Sequence, residues 1–202
     1  MDGWVRPLSL TENPRFGMRA LFFISSNVSS RQAVIAFRGT DLNNTSPSGQ
    51  ADQCADALLW RAHGSVPSPL PAYCSAFANA TLDYLAAAEE FVRKVRVAYP
   101  SHQLLFTGHS LGAGLAFLSA ALLTDEHAAT ANAAQAVGDD VAHTKKPVVV
   151  APCVAIASPP WLLTLRRRAP HTKLPPFATV RSHWLALADE WDPVQKDSAA
   201  VG

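Results

Sequence analysis

A serine flanked by glycines is the residue best placed to do chemistry. Gly108-His109-Ser110-Leu111-Gly112 fits Gly-x-Ser-x-Gly, and it falls where an apolar run, LLFT, meets a helix-forming one, LGAGLAFLSAALL. Such a pattern arises by chance in roughly 4% of chains of this length and make-up, before its strand-to-helix setting is counted. A sharp turn between strand and helix strains the backbone at the serine. Glycine on either side lets neighbouring chain approach without a Cβ in the way. The turn also sets Ser110 at a helix N-terminus, whose free N–H groups and dipole favour a developing negative charge. Nucleophilic attack on an acyl carbon is the chemistry such an arrangement serves. The competing reading is a glycine-rich connection with a capping serine.

Acyl transfer needs a second N–H donor besides that of the residue following the nucleophile, here Leu111. Phe37-Arg38-Gly39-Thr40-Asp41 ends an apolar run and opens a polar stretch. The Thr40 N–H is therefore the candidate, with the Thr40 hydroxyl as a third donor. Taken alone, Arg-Gly-Thr is more often a plain turn; the serine motif downstream gives it meaning.

Strands alternating with helices must position these groups. Residues 19–25 (RALFFIS) and 32–37 (QAVIAF) read as strands buried on both faces. Residues 41–70 turn polar and rich in Asn, Ser, Pro and Gly. Within them, 41–65 is expected to form a mobile lid whose apolar patch is Ala57, Leu58, Leu59 and Trp60. Phe77, Leu85, Ala88, Val92, Val95 and Tyr99 recur at helical spacing, Glu89–Arg93 and Glu90–Lys94 sit four apart, and Pro100 ends the helix. A strand at 103–107 and a helix through Leu115, Leu118, Ala121 and Leu122 follow. Residues 125–147 are Ala-rich without an apolar period and are expected to be an insertion; 153–157 and 180–188 are further strand candidates. The pattern predicts one α/β domain over 1–202, its sheet mostly parallel with helices on both faces.

Composition narrows the function classes. The chain has 202 residues, 49% hydrophobic and 16% charged, with a net charge of +1. That is enough chain for a core of its own and too apolar for a disordered or fibrous one. The near-zero charge argues against a nucleic-acid partner. Cys54, Cys74 and Cys153 are odd in number, widely spaced and without a Cys-x-x-Cys pair. Neither a zinc site nor a disulfide framework is expected from them, and a reducing compartment is. Asn27, Asn43, Asn44 and Asn79 each open an Asn-x-Ser/Thr triplet, which matters only in a secreted chain. Residues 1–17 hold no apolar leader, and 148–163 is too short and proline-broken to span a bilayer. The expected location is the cytoplasm or the surface of a membrane.

VIAFRGTD, TGHSLGAGLA, CVAIASPP and DEWDPV, in that order, resemble the class 3 lipases of the α/β-hydrolase superfamily. Ser158-Pro159-Pro160, and Ala113-Gly114 after the serine motif, are most similar to the branch containing sn-1-specific diacylglycerol lipases. The resemblance runs over about residues 19–195. It implies the α/β-hydrolase fold and a serine ester hydrolase that meets acylglycerols or phospholipids at a lipid interface, peripheral to a membrane. It implies Ser110 as nucleophile in a turn shaped by Gly108, His109 and Gly112. The N–H groups of Thr40 and Leu111 would form the oxyanion hole, and Asp192, with Asp189 as runner-up, would be the triad acid. No cofactor and no metal are implied.

Two departures stand out. Cys74-Ser75-Ala76-Phe77 replaces the family's common His-x-Gly-Phe. No histidine follows Asp192, where the family's order of Ser, acid, His places the base. His171 and His183 are the alternatives after Ser110, in a proline-bounded loop and a strand. The simpler expectation is a chain lacking its last strands and its base. Arg166, Arg167 and Arg168, beside Trp161, Leu162, Leu163 and Leu165, suit an anionic lipid surface or merely a solvated face. Asp139, Asp140 and His143 lack ordered metal-ligand spacing, and Cys153 reads as core. Two readings compete with the hydrolase: an inactive fragment or lipid-binding pseudoenzyme, and an acyltransferase or thioesterase using the same serine.

Overall fold

The computed structural model describes residues 3–7, 17–27, 29–60, 70–77, 79–137, 151–156 and 184–187. Among these residues six strands lie in one sheet in chain order: β1 (Trp4–Val5), β2 (Ala20–Ser25), β3 (Gln32–Phe37), β4 (Gln103–His109), β5 (Cys153–Ile156) and β6 (Trp184–Leu187). The first three pair antiparallel and β3 to β6 pair parallel. Parallel neighbours need long crossovers. The one from β3 to β4 carries α1 (Pro47–Trp60), a 3₁₀ helix (Ala72–Ala76), α2 (Asn79–Leu82) and α3 (Tyr84–Ala98), and α4 (Leu111–Val137) leads from β4 toward β5. This is the α/β architecture that the alternating elements predict.

Register decides which side chains share a face. Pairing aligns Phe22 with Ile35, Ile35 with Phe106 and Phe106 with Cys153, and this row is buried. Their neighbours Leu21, Val34, Leu105, Val154 and Ile156 point the other way and are half-buried or exposed. The strands therefore alternate in burial, although their sequences are apolar on both faces. An unbroken apolar run does not say how deeply each face is covered. Helices α3 and α4 pack against each other, and α4 also packs against β3, β4 and β5. Asp83 caps α3 by accepting the Ala86 N–H at 3.2 Å, and Arg93 pairs with Glu90 three residues back. Phe77, the first member of the expected stripe, lies before the helix and packs with Ala51, Cys54, Cys74 and Leu82.

Three expectations change. Residues 47–60 form a helix, and Ala57 and Leu59 are buried in it rather than available as a surface patch. Its buried positions are mostly small (Ala51, Cys54, Ala55) and stand among polar residues, so the helical period is weak in the sequence. Residues 125–137 continue α4; alanine has the highest helix propensity and needs no apolar period to hold a helix. Residues 138–147 of the expected insertion lie outside the described residues.

Cys54 on α1 is disulfide-bonded to Cys74 in the 3₁₀ helix, with Cα atoms 5.6 Å apart. The expectation of no disulfide is thereby corrected, and the argument for a reducing compartment goes with it. A separation of 20 residues carries no spacing signal; the crossover brings the pair together. Cys153 is free and buried in β5. Among the described residues, no helix is long and apolar enough to cross a membrane.

Candidate active site

Ser110 sits between the end of β4 and the start of α4 with φ +52°, left-handed backbone that a residue with a Cβ seldom adopts. What holds it there is local. Its N–H donates to the Ile156 carbonyl on β5 at 3.0 Å, and its own carbonyl accepts the Ala113 and Gly114 N–H groups at 2.9 and 3.1 Å. The serine is thus pinned to the sheet on one side and begins the helix on the other. Leu111, the first helical residue, carries one of the N–H groups that a helix leaves without an acceptor of its own.

Close packing of main chain brings the two motifs together. A Cβ on Gly108 would run into the backbone of Gly112, and a Cβ on Gly112 into the Phe37 carbonyl and, at 2.8 Å, Arg38. A Cβ on Gly39 would stand 2.7 Å from the His109 carbonyl oxygen. The Phe37–Thr40 turn therefore lies directly on the serine turn, in parallel register with it: Phe37 pairs with Gly108. His109, exposed, is the neighbour of Ser110 on this turn. The structure so brings together Gly108, His109, Ser110, Leu111, Gly112 and Thr40. Asp192, Asp189, His63, His143, His171, His183, Asp139, Asp140 and Arg166 to Arg168 lie outside the described residues.

The Thr40 hydroxyl donates to the Asp56 carboxylate on α1, so its proton is committed there rather than free as a third donor. One turn earlier on α1, Asp52 is 2% exposed. Its carboxylate accepts Arg38, the Asp41 N–H at 2.9 Å and the Tyr84 hydroxyl at 2.6 Å. Burial first, then the bond to Asp52 and the charge of that carboxylate, push the Tyr84 phenol well above its ordinary pKa, so it remains a donor. Sequence reasoning passed over Asp52, Asp56 and Tyr84. The Asp-x-x-x-Asp spacing was the available signal, since residues four apart share a helix face, but it has meaning only once 47–60 is known to be helical.

His102 and His127 are described and lie elsewhere. With Arg93 and Arg96 they line a cavity of about 640 Å³ beside Gln103 and Leu104, at the opposite end of β4 from Ser110. Among the described residues, no three His, Cys, Asp or Glu side chains gather as a metal site.

Among solved structures the chain is similar to a fungal lipase in complex with an inhibitor, at 16% identity over 95% of this chain and 61% of that one, TM-score 0.41. It is similar also to a Rhizomucor miehei lipase propeptide complex (16%, 92% and 48%, TM-score 0.39) and to Lip2 lipase from Yarrowia lipolytica (13%, 97% and 61%, TM-score 0.44). The chain thus spans about half to three-fifths of the length of these lipases. No curated protein sequence matches it significantly. The family profile described as lipase (class 3) matches residues 34–139, more than half of the chain, from within β3 through the serine turn and α4. The chain belongs to the class 3 lipase family.

Proposed function

We propose that the protein is a serine carboxylic ester hydrolase acting on acylglycerols at a lipid surface. The observation that carries this reading is Ser110 at φ +52° at the head of α4, with the Thr40 turn packed against it. In this reading Ser110 Oγ attacks the ester carbonyl carbon, and the carbonyl oxygen takes up the negative charge between the Leu111 and Thr40 N–H groups. A histidine oriented by Asp192 accepts the serine proton and returns it to the leaving alcohol. Water then repeats the sequence on the acyl-enzyme and releases the fatty acid. Diacylglycerols and triacylglycerols are the candidate substrates, the former on the motifs shared with that branch of the family.

A fluorophosphonate probe tests the assignment, because it reacts with an activated serine and stays attached. The intact protein should label, Ser110→Ala should not, and Asp192→Asn should label far more slowly. Labelling that persists in Ser110→Ala would place the nucleophile elsewhere. An intact protein that binds lipid vesicles yet never labels would favour the lipid-binding pseudoenzyme.

A further inference from the structure

We propose that Asp52 is a positioning residue for the oxyanion turn, holding the Thr40 N–H in register with Ser110; the inference rests on the ester hydrolase reading. The geometry is a bracket around two residues. One carboxylate oxygen, Oδ2, accepts both the Arg38 guanidinium and the Asp41 N–H. Arg38 and Asp41 flank Gly39-Thr40, so a single atom ties both ends of the segment that presents the donor. The other oxygen, Oδ1, is anchored by Tyr84 at the first turn of α3. Arg38 reaches α1 a second time through Ser48 Oγ at 3.3 Å.

Burial makes this bracket stiff. Asp52 is 2% exposed, while the Arg38 side chain is 35% exposed. A buried carboxylate that lost these donors would be left charged and unsolvated, so the arrangement resists alternatives. Oxyanion stabilisation depends on donors already aimed at the place where charge develops, so displacing a donor by a fraction of an ångström costs more in the transition state than in the ground state. Asp52 touches neither Ser110 nor the turn's donor itself. It acts through Arg38 and Asp41, and the expected signature is on kcat rather than on KM.

The test uses the intact protein with Asp52→Ala, Asp52→Asn and Tyr84→Phe. Fluorophosphonate labelling run to completion counts competent Ser110 sites, so a loss of folded protein is divided out. Turnover of a soluble short-chain ester is then expressed per labelled site, and inhibition by an alkyl boronic acid reports on the tetrahedral state. Asp52→Ala should lower kcat about 10²-fold, the low end for loss of an oxyanion donor, with KM within about twofold and boronate affinity falling in step. Asp52→Asn, which keeps the shape without the charge, should lose roughly tenfold. Tyr84→Phe, which removes only the anchor on Oδ1, should lose roughly fivefold. If Asp52→Ala does not fold, the other two decide the matter. Per-site kcat and boronate affinity equal to wild type in Asp52→Asn and Tyr84→Phe would overturn the inference while leaving the hydrolase reading intact. So would a change confined to KM. A wild-type protein that neither labels nor turns over ester would overturn the hydrolase reading and this inference with it.

Discussion

Gly112 and Asp52 both hold the turn at residues 37–41, and they do so by different physics. Gly112 holds it by having no side chain: the Phe37 carbonyl and Arg38 occupy the place of a Cβ. Asp52 holds it by attraction, through a buried carboxylate that gathers Arg38, Asp41 and Tyr84. The glycine contact belongs to the sheet and α4, which share one core. The carboxylate contact belongs to α1, whose Cys54 is bonded to Cys74 and which buries Ala51 and Cys54 in a second, smaller cluster. Close packing of backbone tolerates no substitution, whereas a polar bracket weakens in steps as its bonds are removed one at a time.

The comparison can be broken at either end, and the glycine end should fail hardest. Gly112→Ala forces a methyl group into main chain that cannot rotate away. It should lose about 3 kcal/mol, a fall in Tm of roughly 6–12 °C for a chain of this size. Thermal unfolding indistinguishable from wild type would show that the two turns are not in contact. Next comes the double change Cys54→Ser with Cys74→Ser. Opening a loop of this length should cost about 2–3 kcal/mol, and limited proteolysis should find cuts within 47–60 before cuts within β3 or β4. Cutting that starts in β3 would contradict a role for the disulfide in holding α1.

Smaller effects sharpen the polar side. Thr40→Val keeps the backbone donor but leaves Asp56 without the hydroxyl that faces it. It should reduce kcat roughly tenfold, well short of the 10²–10³ that accompanies loss of an oxyanion donor, and Thr40→Ser should restore it. Kinetics unchanged in Thr40→Val would remove the Asp56 bond from the account. The mildest prediction concerns Cys153. Burial pushes its thiol well above the ordinary range, so the thiolate that alkylating agents attack stays absent as the pH rises from 7 to 9. Native protein should therefore take up no iodoacetamide across that interval. Unfolded protein should take up one equivalent without reductant and three with it, as the free and bonded cysteines require.

How legible each part was in the sequence follows from the same contrast. The glycine-packed half could be read directly, because Gly-x-Ser-x-Gly names the positions where backbone must approach backbone, and the strand bounds 32–37 came out as observed. The polar half could not. Asp52 and Asp56 are two acids in a hydrophilic stretch, and nothing in their types separates a buried hydrogen-bond hub from a solvated surface. Asp52 takes its meaning from Tyr84, 32 residues away in sequence, and Asp56 from the Thr40 hydroxyl, 16 residues back. The disulfide escaped for a related reason: its spacing carries no motif, and only the docking of α1 on the 3₁₀ helix pairs the sulfurs. Residues 125–137 misled through alanine, which shows no periodicity and yet favours a helix.

Ser110 is, thermodynamically, the wrong residue for its own backbone. Left-handed geometry costs an L-residue roughly 1–2 kcal/mol and glycine almost nothing. Replacing the serine by glycine would therefore yield a sturdier molecule without the hydroxyl on which the proposed attack depends. Stability and chemistry pull in opposite directions at a single codon. On the proposed reading, a lineage released from its substrate would have a downhill mutational step available to it at this position, and only selection for what the hydroxyl does would keep the serine there.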